Sequence, residues 1–397
     1  MEFGEISYIP VTGRDPLLSR LFPDATIAEC ITTAVRKAEA DKVLCTLKVR
    51  FATAPESYPP EVLVHHGRQA LADTRHEASD IAVMARLQQL ASSRDTTGVV
   101  PEVLKVGRVD FGHGSRLDYF CEEYVTGTVS LDSVLGEISE SNLGSIADVV
   151  LESTCLREIH QLRIDSEEAL SSLRGTPLNP VYDDGKSYGG WIGGPHLGYH
   201  KDTASLLKRV FEPPQAASTH NPLIYSLMAP LDLDGNPHVV IDSTRYPDLK
   251  PIQLTTKDLK HLYSASVLCH FALQDPSNIL VWRHSRGQFS LAAIANWRHA
   301  AIMPLPLEAG LVNGDRGASA RSADCAWSRV LREKALALLK PTDPEQKLNP
   351  EQKLDPEQKL LRGLMLVQQA ISREERAGQD ISMGEVTDGV GTMQVDG

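Results

Sequence analysis

Residues 42–125 constrain the fold most, because their apolar spacing switches from period two to helical spacing and back. "KVLCTLKVRFA" (42–52) alternates apolar and polar positions and is rich in β-branched residues, the pattern of a half-buried strand. "TAPESYPP" then forces a turn, and "EVLVHH" (61–66) supplies a second strand. In "TRHEASDIAVMARLQQLAS" (74–92), Ile81, Met84, Leu87 and Leu90 share one helical face. "PEVLKVGRVD" and "LDYFCEEYV" are two further strands. Strand, strand, helix, strand, strand predicts a small α+β lobe over 41–125, preceded by an N-terminal extension (1–40) whose "TIAECITTAVRKAEAD" has a helical look.

From about residue 140 the pattern turns helical, predicting a larger lobe over 126–340. "SNLGSIADVVLESTCLREIHQLRI" is expected to be a long helix capped by Ser141 or Asn142. "TASLLKRVF" and "TKDLKHLYSASVLCHF" are shorter helices. "NILVWRH" and "QFSLAAIANW" form a hairpin turning at "HSRG", and "SADCAWSRVLREKALALLK" is another helix. Residues 341–360 hold the unit "DPEQKL", "NPEQKL", "DPEQKL". Asp or Asn followed by Pro and an acid suits a helix start, but a proline every six residues stops a continuous helix. The first two units are therefore expected to be linker, and the last to cap a C-terminal helix within 361–397, followed by a polar tail.

Composition narrows the function classes. A net charge of −12 opposes a general nucleic-acid binder. No apolar run approaches the roughly 18 residues that span a membrane, and "MEFGEISYIP" lacks the basic and apolar regions of a secretory signal. The six cysteines include no CxxC pair, so free thiols in a reducing, cytoplasmic setting are expected.

Four segments carry a family resemblance. They are "FCEEYVTGTVSLDSVL" (120–135), "GGWIGGPHLGYHKDTASLL" (189–207), "LCHFALQDPSNILV" (268–281) and "IANWRHAAIMPLPLEAGL" (294–311). In this order and spacing the chain resembles the aminoglycoside-phosphotransferase branch of the protein-kinase superfamily, in particular its fungal phosphotransferase group. The resemblance implies a two-lobed protein-kinase-like α+β fold, here with a C-terminal helical extension. It also implies an interlobe hinge at Glu123 and Val125, a catalytic loop from His270 to Asn278, and a metal-binding segment at Asn296. Trp191 would be a lid or packing residue over the cleft.

Phosphoryl transfer is positioning plus charge neutralisation. It needs a carboxylate to take the hydroxyl proton, an Asn and an Asp to hold Mg²⁺, and a basic residue of the small lobe, fixed by a helix carboxylate, to grip phosphates. The Asn is present as Asn278, but the catalytic-acid position falls on Ala272 or Leu273. Asp275 is the one acid nearby, either a repositioned base or the cap of the turn at Pro276. The metal Asp is replaced by Asn296, which brings no charge. The phosphate clamp is Lys48, which lies far ahead of the helix acid, or His65, His66 or Arg68, with Asp80 or Glu77 as partner. No glycine-rich loop precedes the strand. His196 and His200 have zinc-like spacing, but the glycines around them favour a loop.

These departures predict a member of the family impaired in phosphoryl transfer, whose cleft binds a small molecule or hosts non-phosphoryl chemistry. ATP and Mg²⁺ are cofactors only if the chain is an active kinase using Asp275, Asn278 and Asn296. A third reading is a protein-binding scaffold that docks partners through its C-terminal region.

Overall fold

In the computed structural model, the structure describes residues 16–38, 42–68, 79–110, 116–152, 154–181, 190–211, 226–228, 238–243, 245–310, 325–338, 354–367, 369–370 and 373. The small lobe runs α1 (Pro16–Leu21), β1 (Thr26–Ala38), β2 (Lys42–Thr53), β3 (Glu61–Arg68), α2 (Asp80–Arg94), β4 (Val103–Asp110) and β5 (Arg116–Glu123). Its strands form one antiparallel sheet in the order β1-β2-β3-β5-β4.

β1 corrects the reading of 26–38 as helix within an extension. Ile27, Ile31, Thr32, Thr33 and Val35 are β-branched, and β2 offers a full-length antiparallel partner running from Thr26↔Thr53 to Ala38↔Lys42. Strand pairing outweighs the helical look of the segment, and these residues belong to the sheet.

Strand alternation gives the sheet two different faces. On the outer face Leu47, Val49, Val62, Val64, Tyr119 and Cys121 pack beneath Leu17, Leu18, Leu21 and Phe22 of α1 and its C-terminal flank. On the inner face Phe120 and Val103 meet Ile81, Met84 and Ala85 of α2. All four residues of the apolar face expected for this helix are buried, and Ser79 caps it by accepting from the Ala82 N–H.

The larger part continues with β6 (Val129–Ser130), α3 (Leu131–Val134), α4 (Glu140–Glu152), α5 (Thr154–Ile159), α6 (Glu167–Ser172), β7 (Ile192–Gly194), β8 (Gly198–His200), α7 (Thr203–Phe211), β9 (Ser226–Met228), β10 (Val239–Asp242), β11 (Ile252–Leu254), α8 (Thr256–Ser264), β12 (Val267–Cys269), β13 (Ile279–Arg283), β14 (Phe289–Ile294), β15 (Ala301–Met303), α9 (Leu305–Gly310) and α10 (Ala326–Leu338). The expected α+β layout, a small β-rich part followed by a larger part holding most of the helices, is thus what the chain adopts. β13 and β14 are the expected hairpin.

Two helix boundaries differ from expectation. The hydroxyl that accepts at the start of α4 belongs to Ser139, which bonds the Asn142 N–H at 3.2 Å. Asn142 instead reaches across to β14, donating to the Phe289 carbonyl at 2.9 Å and accepting from its N–H at 2.8 Å. The segment 256–271 is helical only to Ser264, after which β12 pairs with β15.

The last repeat unit does start a helix over 356–367, with Asp355 Oδ1 accepting from the Gln358 N–H at 2.8 Å. One face of that helix is covered by the large lobe. Leu360, Leu364 and Val367 are fully buried in the core of the large lobe, and Lys359 pairs with Asp258 of α8 at 2.8 Å. Amphipathic sequence alone could not say which surface its apolar face would cover. Most of the first two repeat units, and the tail after 373, lie outside the described residues. No described helix is long and apolar enough to cross a membrane.

Candidate functional site

The segment from Cys269 to Trp297 carries His270, Asp275, Asn278 and Asn296, and brings the last two into contact. β12 delivers His270, the short helical turn Pro276–Asn278 follows, and the β13–β14 hairpin returns the chain to Asn296. Ile294 donates to the Val99 carbonyl at 2.8 Å, joining this segment to the connection between α2 and β4. The two non-glycine residues with positive φ among those described, Phe271 (61°) and Asn296 (65°), both lie here, where the chain is bent around the site.

Each expected catalytic group is already engaged. His270 is buried, its Nε2 donating to the Ala295 carbonyl at 2.9 Å and its Nδ1 accepting from the Ala272 N–H at 3.2 Å. Burial lowers its pKa to about 4, so it is a neutral brace between two loop strands. Asp275 Oδ1 accepts from the Ser277 N–H at 3.0 Å and from its hydroxyl at 2.7 Å. Through Oδ1, Asp275 caps the turn at Pro276. Leu273, at one of the two catalytic-acid positions, is 2% exposed and belongs to the main core. Trp327 and Ser328 of α10 donate to the carbonyls of Leu273 and Gln274 at 2.9 and 3.0 Å, which holds that stretch inward.

Asn278 and Asn296 meet, but as partners of each other. Asn296 Nδ2 donates to Asn278 Oδ1 at 2.7 Å, and Asn278 Nδ2 donates to the Ala272 carbonyl at 2.9 Å. The oxygen that would face a cation is occupied by an amide. Among the described residues no group of three or more His, Cys, Asp or Glu side chains is placed to hold a metal ion. The donor set present does not fit Mg²⁺, which binds through carboxylates and phosphates.

The small lobe tells a parallel story. His65 Nε2 donates to Glu122 Oε1 at 2.8 Å, and its Nδ1 lies 3.0 Å from the Thr46 hydroxyl. Phe120 stacks on the imidazole with ring centroids 4.4 Å apart. Glu122 Oε2 accepts from Gln88 of α2. The expected pairing of His65 with Asp80 is not formed: Asp80 accepts from the Tyr199 hydroxyl at 2.8 Å instead. Lys48 pairs with Glu61 at 3.2 Å and sits over the Tyr124 ring at 3.7 Å. Tyr124 and Glu61 raise its pKa even though desolvation, the largest influence, acts in the opposite sense, so it is a charged ammonium with both partners close.

The remaining expected residues are placed as follows. Glu123 is exposed at the end of β5, and Val125 follows it in a turn whose carbonyl accepts from the Thr128 hydroxyl at 2.8 Å. Gly127, with φ 74°, completes that turn. Trp191 enters β7 with Lys201 5.0 Å from its ring. His200 bonds the Leu197 carbonyl at 2.8 Å, while His196 stacks on His299 at 4.2 Å. Glu77 and the Arg68 side chain lie outside the described residues.

The sequence reading missed Glu122, Gln88, Tyr199 and Glu308. Glu308 of α9 is buried, and its Oε2 accepts from the strained Phe271 N–H at 2.8 Å. Burial raises its pKa to about 7. The one available signal was an acid inside an otherwise apolar run, in "FCEEYV" for Glu122 and "PLPLEAG" for Glu308.

No protein-family model matches the chain, and no curated protein matches it in sequence. Among solved structures it is similar to aminoglycoside phosphotransferase APH(4)-Ia, at 12% identity over 95% of this chain and 98% of that one, with a TM-score of 0.42. A thermostable mutant of that protein in ternary complex with ADP and hygromycin B matches at 14% identity over 96% and 100%, TM-score 0.41. The apo form of a thermostable mutant matches at 13% over 92% and 96%, TM-score 0.39.

Proposed function

We propose that this kinase-like chain is impaired in Mg²⁺-dependent phosphoryl transfer and uses the cleft between its two lobes to bind an organic small molecule. The observation that carries the reading is the Asn296–Asn278 amide pair at 2.7 Å. Mg²⁺ would have to break this bond to gain two neutral ligands. Three further features agree. Asp275 is spent as a cap, His65 is bonded at both ring nitrogens, and Lys48 is held by Glu61 and Tyr124. Losing a general base alone costs on the order of 10²–10⁴ in rate. The cleft is free to serve other chemistry, since fold does not dictate function.

Among the described residues Cys121, Cys269 and Cys325 carry free thiols, which supports placing the chain in the cytosol.

A Mg-ATP titration of the purified chain, followed by thermal shift and calorimetry, tests the reading. No stabilisation is expected at ligand concentrations that saturate active kinases, whereas a subset of uncharged organic compounds should raise the melting temperature. A saturable, Mg²⁺-dependent nucleotide shift would overturn the proposal.

A further inference from the structure

Away from the segment 269–297, a hydroxyl, an imidazole and a carboxylate stand in line. Thr46 of β2 is the register partner of His65 on β3, which in turn pairs with Phe120 of β5, so all three occupy the inner face of the sheet. On that face α2 packs, and α2 carries Val83 and Leu87 into the main core. His65 Nε2 donates to Glu122 Oε1 at 2.8 Å. With the proton on Nε2, the neutral imidazole has an acceptor at Nδ1, and the Thr46 hydroxyl 3.0 Å away is its donor. Behind the acid, Gln88 donates to Glu122 Oε2 and, at 3.0 Å, to the Pro101 carbonyl, which fixes the orientation of the amide. Phe120, stacked on the imidazole at 4.4 Å, sets the plane of the ring.

These are the parts of an activated nucleophile: a hydroxyl within reach of a base, and a base oriented by a third group. Burial is graded along the line in the sense that chemistry needs. Gln88 and Glu122 are 1% and 2% exposed, whereas His65 and Thr46 are half-buried. The carboxylate is out of water, where its attraction for an imidazolium is least screened, and the hydroxyl end is the accessible one. Lys48, two positions along β2 on the same face, brings a positive charge to that side of the sheet, which favours an oxyanion there.

We infer that Thr46, His65 and Glu122 form an acyl-transfer site that cleaves an ester of an organic molecule. This rests on the cleft accepting such a molecule, as proposed for the chain. Thr46 Oγ1 bonds to the ester carbonyl carbon as its proton moves to His65 Nδ1. The tetrahedral adduct then breaks its bond to the alcohol oxygen, which leaves with that proton. Water, passing a proton to the same Nδ1, attacks the Thr46 ester, and collapse returns the proton to Oγ1 and releases the acid. Glu122 is a positioning residue that holds the Nε2–H tautomer and balances the imidazolium without taking the proton.

Incubating the full chain with a small alkyl fluorophosphonate, which phosphonylates an activated hydroxyl and releases fluoride, tests this. Turnover of a short-chain p-nitrophenyl ester is followed alongside. One adduct is expected, mapped to Thr46 by peptide mass spectrometry, and Thr46→Ser should be labelled too. His65→Gln should slow both labelling and ester release roughly 100-fold or more. Glu122→Gln should move the acid limb of the pH–rate profile to lower pH, a shift that a merely structural acid would not give. An unlabelled Thr46 in the parent, or labelling of His65→Gln at the parent rate, overturns the inference. Where a variant does not fold, labelling of the unaltered chain still decides. Neither probe involves nucleotide or Mg²⁺, so an unlabelled Thr46 leaves the loss of phosphoryl transfer standing, and a Mg-ATP shift leaves the adduct standing.

Discussion

Replacing Asn296 by aspartate isolates the contact on which the functional reading rests. Asn296 has φ 65° and ψ 51°, a left-handed conformation that aspartate tolerates about as well as asparagine, so the backbone is a constant. The side-chain change is not neutral. Asn278 is 2% exposed, and its amide is locked with Nδ2 on the Ala272 carbonyl, so its Oδ1 must face residue 296. Asn296→Asp removes the donor 2.7 Å from that oxygen and puts a carboxylate oxygen in its place. One hydrogen bond is lost, worth about 1 kcal/mol, and a buried acceptor is left unsatisfied, costing about 1–3 kcal/mol more. The expected loss of stability at pH 7 is therefore about 2–4 kcal/mol by urea denaturation. Below the carboxyl pKa the introduced group can donate a proton to Asn278, and most of the loss should return. Mg²⁺ should leave the parent unchanged and stabilise the variant, whose carboxylate is a better ligand. Parent-like stability of Asn296→Asp at pH 7 in metal-free buffer would refute the amide pairing, and with it the argument that the metal site is closed.

Other expectations follow from the same structure. Glu308, raised by burial from 4.5 to about 7, holds more protons folded than unfolded across that window, so it lowers stability as pH rises from 4.5 to 7, by roughly 3 kcal/mol in all. His160 and His270, lowered by burial from 6.5 to about 4, act oppositely over 4–6.5. Stability should climb from pH 4.5 to 6.5 and dip towards 7, and Glu308→Gln should abolish the dip and steepen the climb in denaturation curves taken at each pH. Leu364→Ala empties a fully buried position of the C-terminal helix and should cost about 2–5 kcal/mol, detectable by chemical denaturation. A parent-like curve would show that the helix is not docked. Asp275→Ala should cost about 1 kcal/mol through loss of the cap, with no change in nucleotide turnover measured under Mg-ATP.

The periodicity of 42–125 made the sheet and α2 readable, because strands and helices with one buried face carry that face in their spacing. The β13–β14 hairpin and the capped C-terminal helix were equally legible, since turn and cap chemistry is local. β1 was not, because its pairing with β2 is a contact between segments, and its local composition suits a helix as well.

At the site, residue identities alone showed the departures from the expected pattern: no acid stands at 272 or 273, and no charge at 296. They did not reveal what the remaining polar groups would do. That Asn278 and Asn296 satisfy each other, that Asp80 goes to Tyr199 rather than to His65, and that Glu122 and Glu308 are buried follow from long-range packing. A side chain's type is set where it stands in the chain. Its hydrogen-bond partner is chosen by whichever distant segment the core brings within three ångströms, and burial makes that choice binding, because an unmet polar group inside costs more than the bond itself is worth.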